Sequence, residues 1–269
     1  MHPILFEIGG FPVYTYGVLL AAAYLLGLQF ALVRARKRGL DPNRVMDLGI
    51  WIIVSALLGA KLLLLVVEWD TYSRSLSDLL TLLRSGGVFY GGLIAAVVMA
   101  LWYLWRHKMP VWQVTDVFAP GIALGHVVGR LGCLFAGCCF GKPTSVPWAI
   151  TFHSEYAAQN VGTPLNVPLH PTQLYEAGAE LLILALLLVL ERRGRPFPGR
   201  TFWGYMLLYG ISRFIIEFYR GDARGMVGMF STSQFVSILI VPLSILMLVF
   251  LARRAAPEPT AATRRARAA

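Results

Sequence analysis

The residues best suited to chemistry lie in one apolar stretch, residues 121–141, which reads GIALGHVVGRLGCLFAGCCFG. This stretch contains both a histidine and an arginine, His126 and Arg130. A charged side chain at bilayer depth costs from about 3 to more than about 10 kcal/mol, so it usually faces a protein interior or a water-filled cavity. Two interpretations of Arg130 remain open here: a member of a buried polar site, or a side chain that snorkels to the lipid headgroups.

Helical spacing places the polar side chains of this stretch on a common face. His126, Arg130 and Cys133 follow one another at intervals of four and three residues, so in a helix they project in the same direction. Three glycines also recur at every fourth position: Gly121, Gly125 and Gly129. Because small residues at this spacing allow a neighbouring helix to approach closely, the stretch predicts a tightly packed helix with one polar face.

A second polar stripe occurs in the segment YGISRFIIEFYRGDARG. Tyr209, Arg213 and Glu217 are each one helical turn apart, and Arg220 lies three residues further on. A salt-bridged helix end does not explain a stripe that reaches two turns into an apolar run, so the two arginine-bearing helices favour a shared site. A guanidinium binds phosphate with two parallel hydrogen bonds and keeps its charge when desolvated. Arg130 and Arg213 are therefore predicted to clamp a phospholipid headgroup.

The three cysteines of the chain, Cys133, Cys138 and Cys139, are an odd number and cannot all form disulfides within it. Adjacent cysteines rarely bridge each other, because disulfide geometry is strained at that spacing. A zinc site completed by His126 or His170 is an alternative, but the chain has no CxxC pair. The sequence therefore predicts no metal site and no cofactor.

Composition identifies the class of protein. With 57% hydrophobic residues, 14% charged residues and a mean hydropathy of +0.64, the 269 residues leave too little polar surface for a soluble domain. We therefore expect an all-α integral membrane protein. The formal net charge of +10 does not indicate nucleic-acid binding, because the basic residues cluster in short loops between apolar runs.

Seven apolar runs have the length of about 20 residues that a bilayer requires, and we predict seven transmembrane helices near residues 14–33, 46–67, 87–105, 112–133, 173–190, 201–219 and 232–252. Alternate loops carry the basic residues, which places the N-terminus outside the cytoplasm and the C-terminus inside it. The predicted membrane domain covers residues 1–254, with external loops near 68–86 and 141–172 and a disordered basic tail at 255–269. A short interfacial helix is expected within the first of these loops.

Several polar positions admit two interpretations from the residues alone. Tyr16 is typical of an interfacial aromatic belt, and Lys61 either snorkels or faces the same interior as Arg130. The glycines beside Tyr90 free the backbone to approach a ligand or a neighbouring helix. In the segment HPTQLYE, Gln173 and Glu176 are either polar groups at a helix end or members of a buried site.

These motifs together resemble the bacterial prolipoprotein diacylglyceryl transferase family. Five residues fall on the glycine and arginine positions of the family motif Gly-Arg-x-Gly-Asn-Phe-x-Asn-Gly-Glu-x-x-Gly: Gly129, Arg130, Gly132, Gly137 and Gly141. The resemblance also covers the Tyr16-Gly17 pair, the Gly91-Gly92 pair, the HPTQLYE segment and the stripe from Tyr209 to Arg220. Where the family usually has histidine, asparagine and glutamate, this chain has Tyr90, Cys133 and Cys138, which is similar to a variant branch with FYGG and GCxxAGCCxG motifs.

The resemblance implies an enzyme that transfers the diacylglyceryl group of phosphatidylglycerol to the lipobox cysteine in the signal peptide of a prolipoprotein. A thioether forms and glycerol phosphate is released. The implied location is the bacterial inner membrane, with the active site towards the outer leaflet. A paralogous transferase with another donor or acceptor is an alternative, and so is a lipid or anion transporter, although the sequence shows no internal repeat or paired broken helices.

The resemblance also assigns roles to residues. Arg130 and Arg213 are expected to stabilise the charge on the leaving phosphate, and Glu217 to orient Arg213. The general base is expected to be Tyr90 or His170. The residues expected to bind phosphatidylglycerol are Arg130, Tyr16, Gly91, Gly92, Gly129, Gly132, Gly141, Tyr209, Arg213 and Arg220.

Overall fold

The computed structural model describes residues 3–72, 75, 77, 81–82, 86–193, 196–222 and 225–255. Their longer helices are α1 (Thr15–Lys37), α2 (Pro42–Val67), α4 (Phe89–Arg106), α5 (Val111–Ala136), α7 (Thr172–Arg192), α8 (Arg200–Ile216) and α9 (Thr232–Ala255). Two short helices, α3 (Trp69–Tyr72) and α6 (Glu155–Val161), lie in the connections, and a 3-10 turn (Glu217–Tyr219) continues α8. Three two-stranded antiparallel ribbons complete the described chain: β1 (Ile4–Ile8) with β2 (Phe11–Tyr14), β3 (Ile150–Thr151) with β4 (Pro168–Leu169), and β5 (Met226–Val227) with β6 (Phe230–Ser231).

Six of the described helices are long and apolar enough to cross a membrane, namely α1, α2, α4, α5, α7 and α9. The predicted all-α class and six of the predicted spans are confirmed in this coarse sense. The predicted span at 201–219 forms α8, which has 17 residues, and its place as a seventh transmembrane helix stays a prediction. Most of the expected interfacial helix, and residues 256–269 of the predicted tail, lie outside the described residues.

The described chain divides into two compact units, one formed by residues 30–117 and the other by residues 1–29 together with 118–269. In the first unit, α2 and α4 pack with their backbones nearly in contact. A Cβ atom on Gly92 would lie 2.9 Å from the carbonyl oxygen of Ala56, and one on Gly91 would collide with the backbone of Gly59. Of the two interpretations of the Gly91-Gly92 pair, the structure therefore shows the close approach of a neighbouring helix.

Two charged side chains of the 30–117 unit, Lys61 and Arg38, have partners within it. The Nζ atom of Lys61 donates to the carbonyl oxygens of Leu82, at 2.8 Å, and Gly86, at 3.0 Å. Arg38 forms an ion pair of 3.6 Å with the buried Asp116. The ammonium group of Lys61 thus donates hydrogen bonds to backbone carbonyls of the segment that follows α3.

In the other unit, small residues bring α1 and α5 together as the glycine spacing predicts. A Cβ atom on Gly27 would lie 2.7 Å from the carbonyl oxygen of Gly121, and one on Gly125 would lie 2.9 Å from that of Ala23. Any larger side chain at these positions would push the helices apart. The crossing fixes the lateral position of α5, the helix that carries His126 and Arg130.

The chain between α5 and α7 folds back onto the start of α7. Its small core consists of Phe140, Phe152 and Leu169, all of them buried. Gly141 forms an isolated β-bridge with Arg220, and its N–H group donates to the carbonyl of His170 at 3.0 Å. A Cβ atom at Gly141 would lie 2.5 Å from that carbonyl, so only glycine fits. This segment therefore joins the C-terminal end of α5 to the regions around His170 and Arg220.

Candidate active site

Glu176, one turn into α7, is the centre of a buried network of charges. Its Oε2 atom lies 2.6 Å from Nη2 of Arg130 on α5. Its Oε1 atom lies 2.9 Å from Nη1 of Arg213 on α8 and 2.7 Å from Nη1 of Arg220. One carboxylate, whose side chain is 3% exposed, thus holds three guanidinium groups from three separate segments of the chain.

The two arginines of the second stripe each have a further carboxylate. Arg213 forms an ion pair of 2.7 Å with Glu217, one turn along the helix, and donates to the hydroxyl of Ser233 on α9 at 3.0 Å. Arg220 donates from both Nε and Nη2 to Asp222, at 2.8 Å each. Burial alone would lower the pKa of the Arg220 guanidinium, but the hydrogen bonds to Asp222 and the charge of Glu176 raise it above its ordinary value.

His126 connects Arg130 to a second carboxylate on α7. Its Nε2 atom lies 3.0 Å from Nε–H of Arg130, and its Nδ1 atom lies 2.7 Å from Oε1 of Glu180. Since Arg130 Nε is always a donor, Nε2 must accept, and the proton of the neutral imidazole must therefore lie on Nδ1 and be donated to Glu180. Glu180 also accepts from the hydroxyl of Tyr205 at 3.4 Å. The predicted common face of His126 and Arg130 is thus confirmed, and the two are hydrogen-bonded.

Arg130 is the most accessible of the three arginines. Its side chain is 15% exposed, against 7% for Arg213 and 2% for Arg220. Among the described residues, its protein contacts go through Nε and Nη2, which leaves Nη1 for a ligand. A narrow crevice with an empty volume of about 170 Å³ is lined by residues of α7 and α8 that include Glu176, Tyr209 and Arg213. The network therefore borders a crevice between these two helices.

Other residues predicted for the site lie around this network. The ring of Tyr209 lies 5.5 Å from that of His126. Tyr16, on α1, lies against Gly132, where an added Cβ atom would be 3.3 Å from the tyrosine ring. Gly129 has open space where a Cβ atom would be, so helix packing does not require glycine at this position. Its role in binding stays a prediction.

The two candidate bases are placed differently. His170 lies in the same unit as the arginines, and among the described residues its side chain contacts Tyr175, whose hydroxyl is 3.1 Å from Nδ1, and the ring of Tyr219 at 5.2 Å. Tyr90, like Gly91 and Gly92, lies in the other unit, at the start of α4, where its exposed ring packs edge-on against that of Phe89. The role of each as a base stays a prediction.

Two important residues of the network were missed or left open by sequence reasoning. The sequence allows two interpretations of Glu176, a polar group at a helix end or a member of a buried site, and the structure shows the second. Glu180 was not singled out, although two carboxylates one turn apart in an apolar run, at 176 and 180, are a signal that could have found it. Both side chains are almost fully buried. A buried carboxylate needs a cation or a hydrogen-bond donor, and these residues have both.

The three cysteines converge after α5. Cys133 lies in the last turns of the helix, Cys138 and Cys139 lie in the turn that follows, and the three sulfur atoms are all within 4.8 Å of one another. The turn is tied to α7, because Thr172 Oγ1 donates to the carbonyl of Cys139 and Gln173 Nε2 to that of Cys138, each at 2.7 Å. The spacing of the cysteines along the sequence does not by itself predict this convergence.

Buried arginines, carboxylates and a histidine inside a bundle of apolar helices define a multi-pass membrane protein with an internal polar site. A family model described as prolipoprotein diacylglyceryl transferase matches residues 3–250. The chain belongs to that family, as its motifs indicated.

Curated relatives are similar over most of their lengths. The chain is 36% identical over 245 residues to the phosphatidylglycerol–prolipoprotein diacylglyceryl transferase of Clostridium tetani, a match that covers 91% of this chain and 96% of the relative. It is 35% identical to the second such transferase of Clostridium perfringens, with 90% and 92% covered. The transferase of Synechococcus elongatus is 33% identical, with 93% of this chain and 87% of the relative covered.

Proposed function

We propose that this protein transfers the sn-1,2-diacylglyceryl group from phosphatidylglycerol to the thiol of the lipobox cysteine of a prolipoprotein. The observation that carries the proposal is the convergence of three arginines on Glu176 in a chain of this family. In the reaction a C–S bond forms, the C–O bond between the diacylglyceryl group and phosphate breaks, and glycerol phosphate leaves with the bonding electrons. The thiol proton passes to a base.

The arginines are suited to stabilising the phosphate leaving group of this reaction. A phosphate monoester such as glycerol phosphate leaves carbon poorly until its developing negative charge is stabilised, and donors positioned in advance in a dry site stabilise that charge effectively. Arg130, through its available Nη1, and Arg213 provide these donors. Arg220 is the least exposed of the three and is saturated by Glu176 and Asp222, so it holds Glu176 in place. Glu217 orients Arg213 through the 2.7 Å ion pair.

Glu176 keeps the site assembled before the lipid binds. Three guanidinium groups this close together would repel one another without an anion between them. Glu176 supplies the anion that all three share, and a headgroup phosphate would bind at Nη1 of Arg130. The lipid therefore meets arginines that are already oriented, which lowers the cost of ordering them.

His126 acts as a positioning residue for Arg130. By accepting from Nε it fixes the plane of the guanidinium, and Glu180 fixes the tautomer that makes this acceptance possible. The groups that face His126 are Arg130 on its own helix, Glu176 and Glu180 on α7, and Tyr209 on α8.

The remaining assignments follow the family resemblance. Tyr90 or His170 removes the thiol proton. Tyr16, Tyr209 and the glycines of the motif contact the lipid. The N-terminus is periplasmic and the C-terminus cytoplasmic, in accordance with the basic loops, so the site faces the outer leaflet of the inner membrane.

The proposal is tested with purified protein, phosphatidylglycerol vesicles and a lipobox peptide, followed by mass spectrometry of the peptide and detection of glycerol phosphate. We expect a peptide that gains one diacylglyceryl group and an equal amount of glycerol phosphate. A matched peptide with serine at the lipobox position should gain nothing. Transfer from phosphatidylethanolamine in place of phosphatidylglycerol would indicate the paralogous activity, and lipid movement across the bilayer without transfer would indicate a transporter.

A further inference from the structure

We propose that Cys133, Cys138 and Cys139 form a binding site for one thiophilic metal ion of d¹⁰ configuration, of the class of Zn²⁺ or Cu⁺. The site comprises the three cysteines of the chain, brought within 4.8 Å of one another at the sulfur atoms. It takes no part in the transfer reaction and does not depend on the function proposed above.

The separation of the sulfur atoms is close to what such an ion requires. With metal–sulfur bonds of about 2.3 Å, three thiolates in tetrahedral or trigonal geometry lie about 3.8–4.0 Å apart. The sulfur atoms need to approach by less than about 1 Å from their separation of up to 4.8 Å, which small rotations about χ1 provide. Thiolate sulfur is also the donor that soft d¹⁰ ions prefer.

The backbone that carries the cysteines is held in place from several directions. Gln173 and Thr172 bind the carbonyls of Cys138 and Cys139, and Thr163 donates to the carbonyl of Gly137 at 2.9 Å. A metal site gains affinity when its ligands are fixed by such surrounding bonds before the ion arrives. These hydrogen bonds thus fix the backbone that positions the sulfur atoms.

The conformation of Cys139 points to a role for its side chain. Its φ is +61°, a left-handed conformation that glycine adopts freely and that other residues adopt at a cost of about 1–3 kcal/mol. Glycine at this position would relieve the strain, as Gly137 does two residues earlier with a φ of +79°. A thiol that is kept at a strained position is explained if the sulfur atom binds a ligand.

A disulfide explains the convergence less well than an ion does. It would use two of the three sulfur atoms, and the adjacent pair Cys138 and Cys139 has poor geometry for it. An ion uses all three.

The test uses the full-length protein in detergent, reduced and freed of metal under anaerobic conditions, and titrated with Cd²⁺ as a spectroscopic probe. We expect a sulfur-to-cadmium charge-transfer band that saturates at one ion per chain. Cys139→Gly is the matched variant, since it removes one ligand and relieves the backbone strain. It should fold at least as well as the wild type, by thermal unfolding, but bind Cd²⁺ at least about tenfold more weakly. Cys133→Ser should weaken binding to a similar extent.

Two results would overturn the proposal. One is unchanged Cd²⁺ affinity in Cys139→Gly, because the binding would then not involve the three sulfur atoms together. The other is a disulfide between two of the cysteines in most of the protein alkylated directly in isolated membranes. Elemental analysis of protein purified without chelator identifies the resident ion, with Zn²⁺ and Cu⁺ measured separately.

Discussion

The Nη2 atom of Arg130 on α5 lies 2.6 Å from the Oε2 atom of Glu176 on α7. This contact joins the two motifs that the sequence separates, the glycine-rich stretch before the cysteines and the HPTQLYE segment. Through the other oxygen of Glu176 it extends to Arg213 and Arg220. The polar site is therefore a single network, in which all three arginines contact the same carboxylate.

Glu176→Gln should destabilise the protein and abolish transfer. It leaves three buried guanidinium groups beside a neutral amide, and removal of one partner from a buried ion pair costs about 3–5 kcal/mol. Thermal unfolding in detergent measures the loss, with Glu155→Gln on the exposed start of α6 as control. Phosphatidylglycerol should stabilise Glu176→Gln more than it stabilises the wild type, because its phosphate replaces the missing charge. An unfolding midpoint equal to that of the wild type would be inconsistent with the central role of Glu176.

His126→Gln should retain most activity, whereas His126→Leu should lose it about tenfold to a hundredfold. The amide of glutamine can accept from Arg130 Nε and donate to Glu180, as the imidazole does, whereas leucine can do neither. Equal activity of the leucine and wild-type proteins at neutral pH would exclude the positioning role.

Each of Cys133→Ser, Cys138→Ser and Cys139→Ser should keep measurable transferase activity. Direct attack by the acceptor thiol needs no intermediate on the enzyme, and a thioether on the enzyme would be a poor leaving group. The peptide assay with mass spectrometry checks this prediction. It fails if Cys138→Ser is inactive and the wild type, incubated with phosphatidylglycerol alone, gains a diacylglyceryl mass at Cys138.

Cysteine labelling tests the proposed topology. In a background with the three native cysteines changed to serine, Glu155→Cys should react with a membrane-impermeant reagent in spheroplasts, and Lys37→Cys should react only after the membrane is opened. The basic loops predict this order. Labelling of position 37 but not 155 in sealed spheroplasts would place the arginine network towards the cytoplasmic leaflet instead.

The elements were largely predictable from the sequence because each apolar run specifies its own helix. The run predicted at 112–133 is α5 (Val111–Ala136), and the run predicted at 46–67 is α2 (Pro42–Val67). The face shared by His126 and Arg130, and the pair of Arg213 with Glu217, also follow from the helical repeat. Such periodicity describes one helix at a time.

The parts that sequence did not predict depend on contacts between segments. Glu176 is central because α5, α7 and α8 bring their polar faces to the same place, which no spacing within one helix reveals. The convergence of the cysteines requires left-handed conformations at Gly137 and Cys139. A turn of that kind can be recognised at the glycine, but at a cysteine it is unexpected.

The most direct test of the central claim is the rate of transfer in Arg130→Ala and Arg213→Ala at saturating phosphatidylglycerol and peptide. Arg200→Ala is the control, since Arg200 starts the same helix as Arg213 but binds the backbone carbonyl of Leu190. If the two arginines stabilise the charge on the leaving phosphate, kcat should fall by at least about 10²–10³-fold in each variant, with the protein still folded in the membrane. Near-normal kcat in either variant, with Arg200→Ala also unaffected, would exclude that arginine from stabilising the charge on the leaving phosphate.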